Sequence, residues 1–282
     1  MVQFRLSAFA DELSPDVDRQ IEWLCGHGVD LLEVRGVDGQ SVAEITPEKA
    51  REVRAKLDRV GMGVSAVGSP AGKIGVDEPL EPHLEQFRRL CEIADILGTR
   101  RMRIFSFFIP DGEKPEKYRG EVMRRLGEFL KIARPHGITL CHENEKGIYG
   151  ESPERCLDIY EEFGGEIKNV FDHANYISCG YLPFPHAFEK VGGTLAYMHI
   201  KDADVNAEMV PTGEGVGRIP ETLAAVNELY EGEFILTLEP HLMTFDGLKR
   251  LEKEGHLSTL GNRYQSPEHA FGVALDALRK YI

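Results

Sequence analysis

At 282 residues, with 42% hydrophobic and 28% charged side chains, the chain has the material for a sizeable core and is neither disordered nor fibrous. Its formal net charge of −14 argues against broad binding to nucleic acid or to an anionic membrane, both of which need a cationic footprint, though a local basic pocket remains open. No apolar run approaches a membrane span. The start, MVQFRLSAFADEL, lacks the apolar centre and small-residue cleavage site of a secretory signal. Five cysteines (Cys25, Cys91, Cys141, Cys156, Cys179) form no CxxC pair and are odd in number, which points to reduced, mostly buried thiols in a cytoplasmic protein.

Short apolar segments alternate with amphipathic ones from one end to the other. Strands are predicted at 4–9, 30–35, 62–67, 101–107, 138–142, 168–172, 195–200 and 234–239. Helices are predicted at 16–26, 47–60, 80–97, 115–135, 153–163, 184–191, 219–230 and 267–281. Four helices open on the same signal, Ser14-Pro15-Asp16, Thr46-Pro47-Glu48, Ser152-Pro153-Glu154 and Ser266-Pro267-Glu268. The hydroxyl can cap, proline suits the first helical position, and an acid there complements the helix dipole. Parallel strands joined by helices form either an open doubly wound sheet or a closed barrel. Eight units of about 30 residues, with no proline- or serine-rich linker between them, favour a single-domain (β/α)8 TIM barrel over residues 1–282.

Two connections on one side are long for such loops. Residues 203–218 contain GEGVG, and residues 240–265 are expected to include a short extra helix; both read as lids or substrate walls. The glycines of GEGVG invite a phosphate-loop reading, but Glu214 would repel an anion and no lysine-serine pair follows, so a flexible turn is preferred.

The last four strands end in Glu143, Asp172, His199 and Glu239. The most pointed case is GITLCHENEKGIYG, where an apolar run stops at a cluster of ionisable groups. Consecutive strand ends lie side by side around one barrel mouth, so these four groups should converge. Three carboxylates and one imidazole suit manganese, magnesium, cobalt or zinc. Without a cation, three crowded anions would repel one another. Two carboxylates alone would also fit a glycosidase, but that hydrolysis has no need of Asp172 and His199.

The segments HENEKGIYG, FDHANYISCG, YMHIKDAD followed by PTGEGVGRIP, and TLEPHL resemble the xylose-isomerase-like TIM barrels. That superfamily includes sugar and sugar-phosphate isomerases and epimerases, inosose dehydratase, hydroxypyruvate isomerase and apurinic endonuclease. Its tagatose-epimerase-like branch implies one divalent ion, most often manganese, held by Glu143, Asp172, His199 and Glu239. It also implies that Glu143 and Glu239 carry a proton from one face of a carbohydrate to the other, next to a carbonyl. Asn175 stands where that branch has a sugar-contacting histidine, which puts the substrate in question more than the metal. His173, adjacent to Asp172, is read as structural.

Lys201, two residues beyond His199, should face the same mouth, and Arg218 resembles a substrate-binding arginine of the epimerase pattern. Glu33, Arg103 and His241 are further candidate substrate contacts, with Arg35 as a pairing partner. The leading expectation is a metal-dependent sugar or sugar-phosphate isomerase or epimerase, forming a dimer or tetramer as many relatives do. Dehydration of a keto-polyol on the same site is the close alternative. A phosphodiesterase or an inactive sugar-binding protein is weaker, given the acidic charge and the presence of both glutamates.

Overall fold

The computed structural model describes residues 2–245 and 263–282. Eight parallel strands, β1 (Val2–Ala8), β2 (Leu31–Val34), β3 (Gly63–Gly68), β4 (Arg101–Ile104), β5 (Thr139–Glu143), β6 (Ile167–Asp172), β7 (Leu195–Ile200) and β8 (Gly232–Leu238), pair in the order β1-β8-β7-β6-β5-β4-β3-β2. β1 and β2 lie side by side, so the sheet curls into a near-closed (β/α)8 barrel. An open doubly wound sheet would leave those two strands apart.

Strand periodicity places the site. Side chains two residues apart share a face, and one inward layer of the barrel is Ala66, Cys141, Val170, Tyr197 and Ile235, all buried. Two residues further on, toward the carboxyl ends of β5, β6 and β7, stand Glu143, Asp172 and His199. Glu239 follows directly on β8. An apolar floor therefore lies one layer beneath the ionisable groups.

The helices are α1 (Val17–Gly26), α2 (Pro47–Val60), α3 (Glu81–Leu97), α4 (Arg119–Ala133), α5 (Pro153–Glu162), α6 (His173–Ser178), α7 (Phe188–Val191), α8 (Ile219–Leu229) and α9 (Pro267–Leu278). Thr46, Ser152 and Ser266 cap α2, α5 and α9 by accepting from the backbone N–H three residues on. At α1 the predicted cap is displaced: Asp16 accepts from Arg19, while Ser14 takes the N–H of Asp16 at 3.2 Å. An aspartate nearer the first turn offers a charged acceptor, and the hydroxyl stays two residues outside it.

Three other expectations change. The strand predicted at 101–107 stops at Ile104, because Phe105, Phe107 and Phe108 donate their N–H groups to the 71–74 loop and Phe107 sits at φ 65°. The helix predicted at 184–191 is split: a π-helical turn, Pro183–Ala187, kinked at Phe184, runs into Phe188–Val191. Short α6 was not anticipated; it begins where Asp172 turns from strand end to helix cap. All five cysteines are unpaired. Among the described residues no helix is long and apolar enough to cross a membrane. The short helix expected within 240–265 falls mostly on 246–262, outside the described residues.

GEGVG has a clear structural job. The backbone N–H groups of Gly213, Gly215 and Gly217 converge on the Asp202 carboxylate at 2.9, 3.2 and 3.0 Å, joined by that of Ala203 at 2.9 Å. Such a concavity of N–H groups binds anions, and here the anion is the chain's own. A Cβ on Gly215 would collide with the Ala203 carbonyl oxygen and Asp202 Oδ1, and one on Gly217 would lie 2.6 Å from Asp202 Oδ1. Gly215→Ala should therefore cost about 1–3 kcal/mol, read as a lower urea midpoint. An unchanged midpoint would show that the loop does not depend on this nest.

Candidate metal centre

Glu143, Asp172, His199 and Glu239 meet at the carboxyl ends of β5 to β8, with one ligand atom of each within 4.8 Å of all the others. All four are buried, none more than 3% exposed. That spacing matches donors surrounding one cation, since ligand bonds of about 2.0–2.2 Å separate opposite donors by little over 4 Å.

Each carboxylate is oriented by a partner outside the cluster. Arg103, on β4, donates from Nη1 to Glu143 Oε2 at 3.1 Å and from Nη2 to the carbonyl oxygens of Gly68 and Ser69. Arg35, just after β2, donates to Glu239 Oε1 at 2.7 Å. Asp172 Oδ1 accepts the α6 cap bond from the N–H of Asn175 at 2.8 Å. The other oxygens turn inward: Glu143 Oε1 and Glu239 Oε2 lie 2.9 and 3.2 Å from His199 Nδ1. Asn144 ties the strand ends together, its side-chain amide donating to the Asp172 carbonyl and accepting the Asp172 N–H.

The donor set fits a divalent cation. Asp172 Oδ2 and Glu239 Oε2 are buried with no hydrogen-bond donor. The Lys201 ammonium lies 3.0 and 3.9 Å from them but is aligned with neither for a hydrogen bond. Two inward carboxylate oxygens without donors are the cost a cation would remove.

The electrostatics show the same crowding. Burial lifts Asp172 to about 7 against the pull of Lys201. Burial also acts to raise Glu143, but His199 and Arg103 outweigh it and bring the carboxyl to about 2. Glu239 is likewise held well below the usual carboxylate range, with Lys201 and His199 overcoming burial. His199 is pushed well above its ordinary value, because Glu143 and Glu33 outweigh the effect of burial. Burial lifts Glu12 to about 8 against Arg35, and it lowers His241 to about 4.

The remaining predicted contacts separate into groups. Lys201 and Arg103 border the cluster directly, and Asn175 joins it by donating to Glu143 Oε1 at 3.3 Å and to the Asn144 carbonyl at 2.9 Å. His241 sits at φ 47°, with Nε2 3.2 Å from Glu239 Oε1 and its N–H donated to Glu12 at 2.9 Å. A non-glycine residue held in the left-handed region beside such a cluster is the kind of strain that collects at functional sites. Glu33 is brought in beneath the His199 ring. Arg218 is not brought to the cluster: its exposed guanidinium pairs with Glu221 at 2.8 Å and lies over Phe184. His173 turns away to Thr222 at 3.1 Å, and burial lowers it to about 3.

The sequence assigns no site role to Asn144, Asp11 or Glu12. Asn144 stood within HENE, and its alternation with Glu143 hid the fact that it points to the neighbouring strand. Asp11 and Glu12 stand in the short turn after the first strand, a usable signal, but their partner Arg35 is known only from the fold.

In sequence, residues 21–254 match the family described as xylose isomerase-like TIM barrel. The chain belongs to this family. No curated protein matches it in sequence. Solved structures of similar fold include an IolI protein with a bound zinc atom, 16% identical, with TM-score 0.73 and 99% of each chain covered. D-psicose 3-epimerase from Clostridium cellulolyticum, with D-tagatose, is 15% identical at TM-score 0.70, over 98% of this chain and 99% of that one. A probable 3-DHS dehydratase from Bacillus anthracis is 15% identical at TM-score 0.69, over 85% of this chain and 92% of the other. At these identities the likeness is one of fold. Within the xylose isomerase-like barrel, the four convergent groups stand at the end where active sites of this architecture lie.

Proposed function

We propose that this chain is a divalent-metal-dependent isomerase or epimerase that moves a proton next to the carbonyl of a sugar or sugar phosphate. The observation that carries the reading is the convergence of Glu143, Asp172, His199 and Glu239 within 4.8 Å in a buried site. Those four residues would hold the metal; manganese suits an oxygen-rich set first, with magnesium, cobalt and zinc as alternatives. When bound, the ion supplies a positive charge that orients a carbonyl–hydroxyl pair and stabilises developing negative charge.

The chain's own groups supply the rest. Arg103 and Arg35 fix the outer oxygens of Glu143 and Glu239, so the inner oxygens enter the site from strands separated by β6 and β7. Two carboxylates approaching from different sides can take a proton from one face of a carbon and return one to the other. Lys201 presents a fixed ammonium to an oxygen that gains charge, and burial keeps water from competing for the proton.

Dehydration stands as a second reading, favoured by Lys201, whose buried ammonium beside Asp172 can donate to the oxygen of a departing hydroxyl. Manganese-loaded protein, incubated in heavy water with a panel of ketoses, ketose phosphates and keto-polyols, separates the readings. Deuterium at the carbon next to the carbonyl in a product of unchanged formula supports isomerisation or epimerisation. Loss of one water supports dehydration, and neither exchange nor water loss across the panel removes both.

A further inference from the structure

We infer that Glu33 is a positioning residue for the metal centre, one that sets which nitrogen of His199 faces the cation. The inference rests on the proposed metal site but concerns a residue that does not enter it.

Glu33 lies near the end of β2, across the barrel from β7, with its side chain fully buried. Its carboxylate sits against the far edge of the His199 ring, both oxygens 3.4 Å from Nε2. Tyr197, two residues before His199 on the same face of β7, donates its hydroxyl to Glu33 Oε1 at 2.8 Å. Glu33 Oε2 has no hydrogen-bond donor. The ring's remaining sides are filled by Phe9, edge-on at 5.0 Å between centroids, and by Tyr197 at 5.5 Å. The imidazole is thus packed between two aromatic rings and two sets of carboxylate oxygens.

The consequence is chemical. A neutral imidazole has one N–H and one lone pair, and only the lone pair binds a metal. On one side of His199 are the inward oxygens of Glu143 and Glu239, at 2.9 and 3.2 Å from Nδ1. On the other side is a carboxylate that can only accept. Glu33 thus fixes the proton on Nε2 and leaves the Nδ1 lone pair for the cation, the arrangement in which an outer carboxylate orients and strengthens a histidine ligand. Tyr197 holds that carboxylate in place. Glu33 is buried against the Nε2 edge of the ring, on the side away from Glu143 and Glu239.

The test measures manganese affinity by competition with a chelating dye, together with nitrogen NMR of histidine-labelled, zinc-loaded protein. Wild type should show His199 protonated at Nε2 and ligated through Nδ1. Glu33→Gln, whose amide can donate toward Nε2, should weaken manganese binding roughly 10- to 100-fold and lose that NMR pattern. Tyr197→Phe, which keeps the carboxylate but frees it, should weaken binding by a smaller factor and serves if Glu33→Gln does not fold. Unchanged manganese affinity in folded Glu33→Gln, or a raised KM with affinity unchanged, overturns the inference while leaving the metal site standing. If Glu33→Gln fails to fold, unchanged affinity and NMR pattern in Tyr197→Phe overturn it equally. Wild type that binds neither manganese nor zinc overturns the metal reading itself, and this inference with it.

Discussion

Glu143→Gln should lower turnover by about 10²–10⁴-fold and abolish deuterium uptake next to the carbonyl from the epimer whose proton Glu143 removes, measured at saturating manganese. The substitution keeps size and can keep the Arg103 contact, since an amide oxygen can still accept from Nη1 where Glu143 Oε2 now does at 3.1 Å. What it removes is charge and basicity at the inner oxygen. The same change also weakens the cation site, so manganese affinity must be measured in parallel and turnover compared at equal occupancy. Glu239→Gln provides the directional contrast. If the two carboxylates serve opposite faces, this variant should still exchange deuterium with one epimer while failing to form the other. Turnover within a few-fold of wild type in Glu143→Gln, at full occupancy, would remove this residue from the proton transfer.

The barrel was legible because its signals are local and repeated. Each strand-end acid or histidine follows an apolar run of strand length, and three of the four Ser/Thr-Pro-acid signals place their caps where expected. Convergence of Glu143, Asp172, His199 and Glu239 also followed from topology alone, since successive parallel strands must end side by side. Less legible was everything decided between distant segments. Nothing near Arg35 in the chain shows that it bridges the first and last strands, and nothing near Glu33 shows that its neighbour is His199. Glu33, Arg103 and Lys201 all looked alike as charged groups at strand ends. Only the fold separates the one beneath a histidine from the two beside the carboxylates. Arg218 is illegible for the opposite reason, because a sequence pattern cannot show that the helix start turns its side chain to Glu221 and away from the four-residue cluster.

The second large effect concerns stability. Arg35→Met should lower unfolding free energy by about 3–5 kcal/mol in chelator-treated protein, read from urea denaturation. Arg35 is 6% exposed and holds three acids at once: Asp11 from Nε and Nη2 at 2.9 and 3.1 Å, Glu239 at 2.7 Å, and Glu12 at 3.4 Å. Its guanidinium carbon also lies 4.2 Å from the Phe9 ring centroid and 5.1 Å from that of Phe245, so methionine replaces some of the packing but none of the charge. The loss should sit toward the lower end of that range, because Glu12, lifted to about 8 by burial against Arg35, already carries its proton at neutral pH and leaves less repulsion to be released. The control is Arg124→Met, whose ion pair with Glu121 is on the solvent side of α4 and should matter by less than about 1 kcal/mol. Equal small losses at both arginines would mean that the acids near β1 do not depend on Arg35, and that Glu239 takes its orientation from elsewhere.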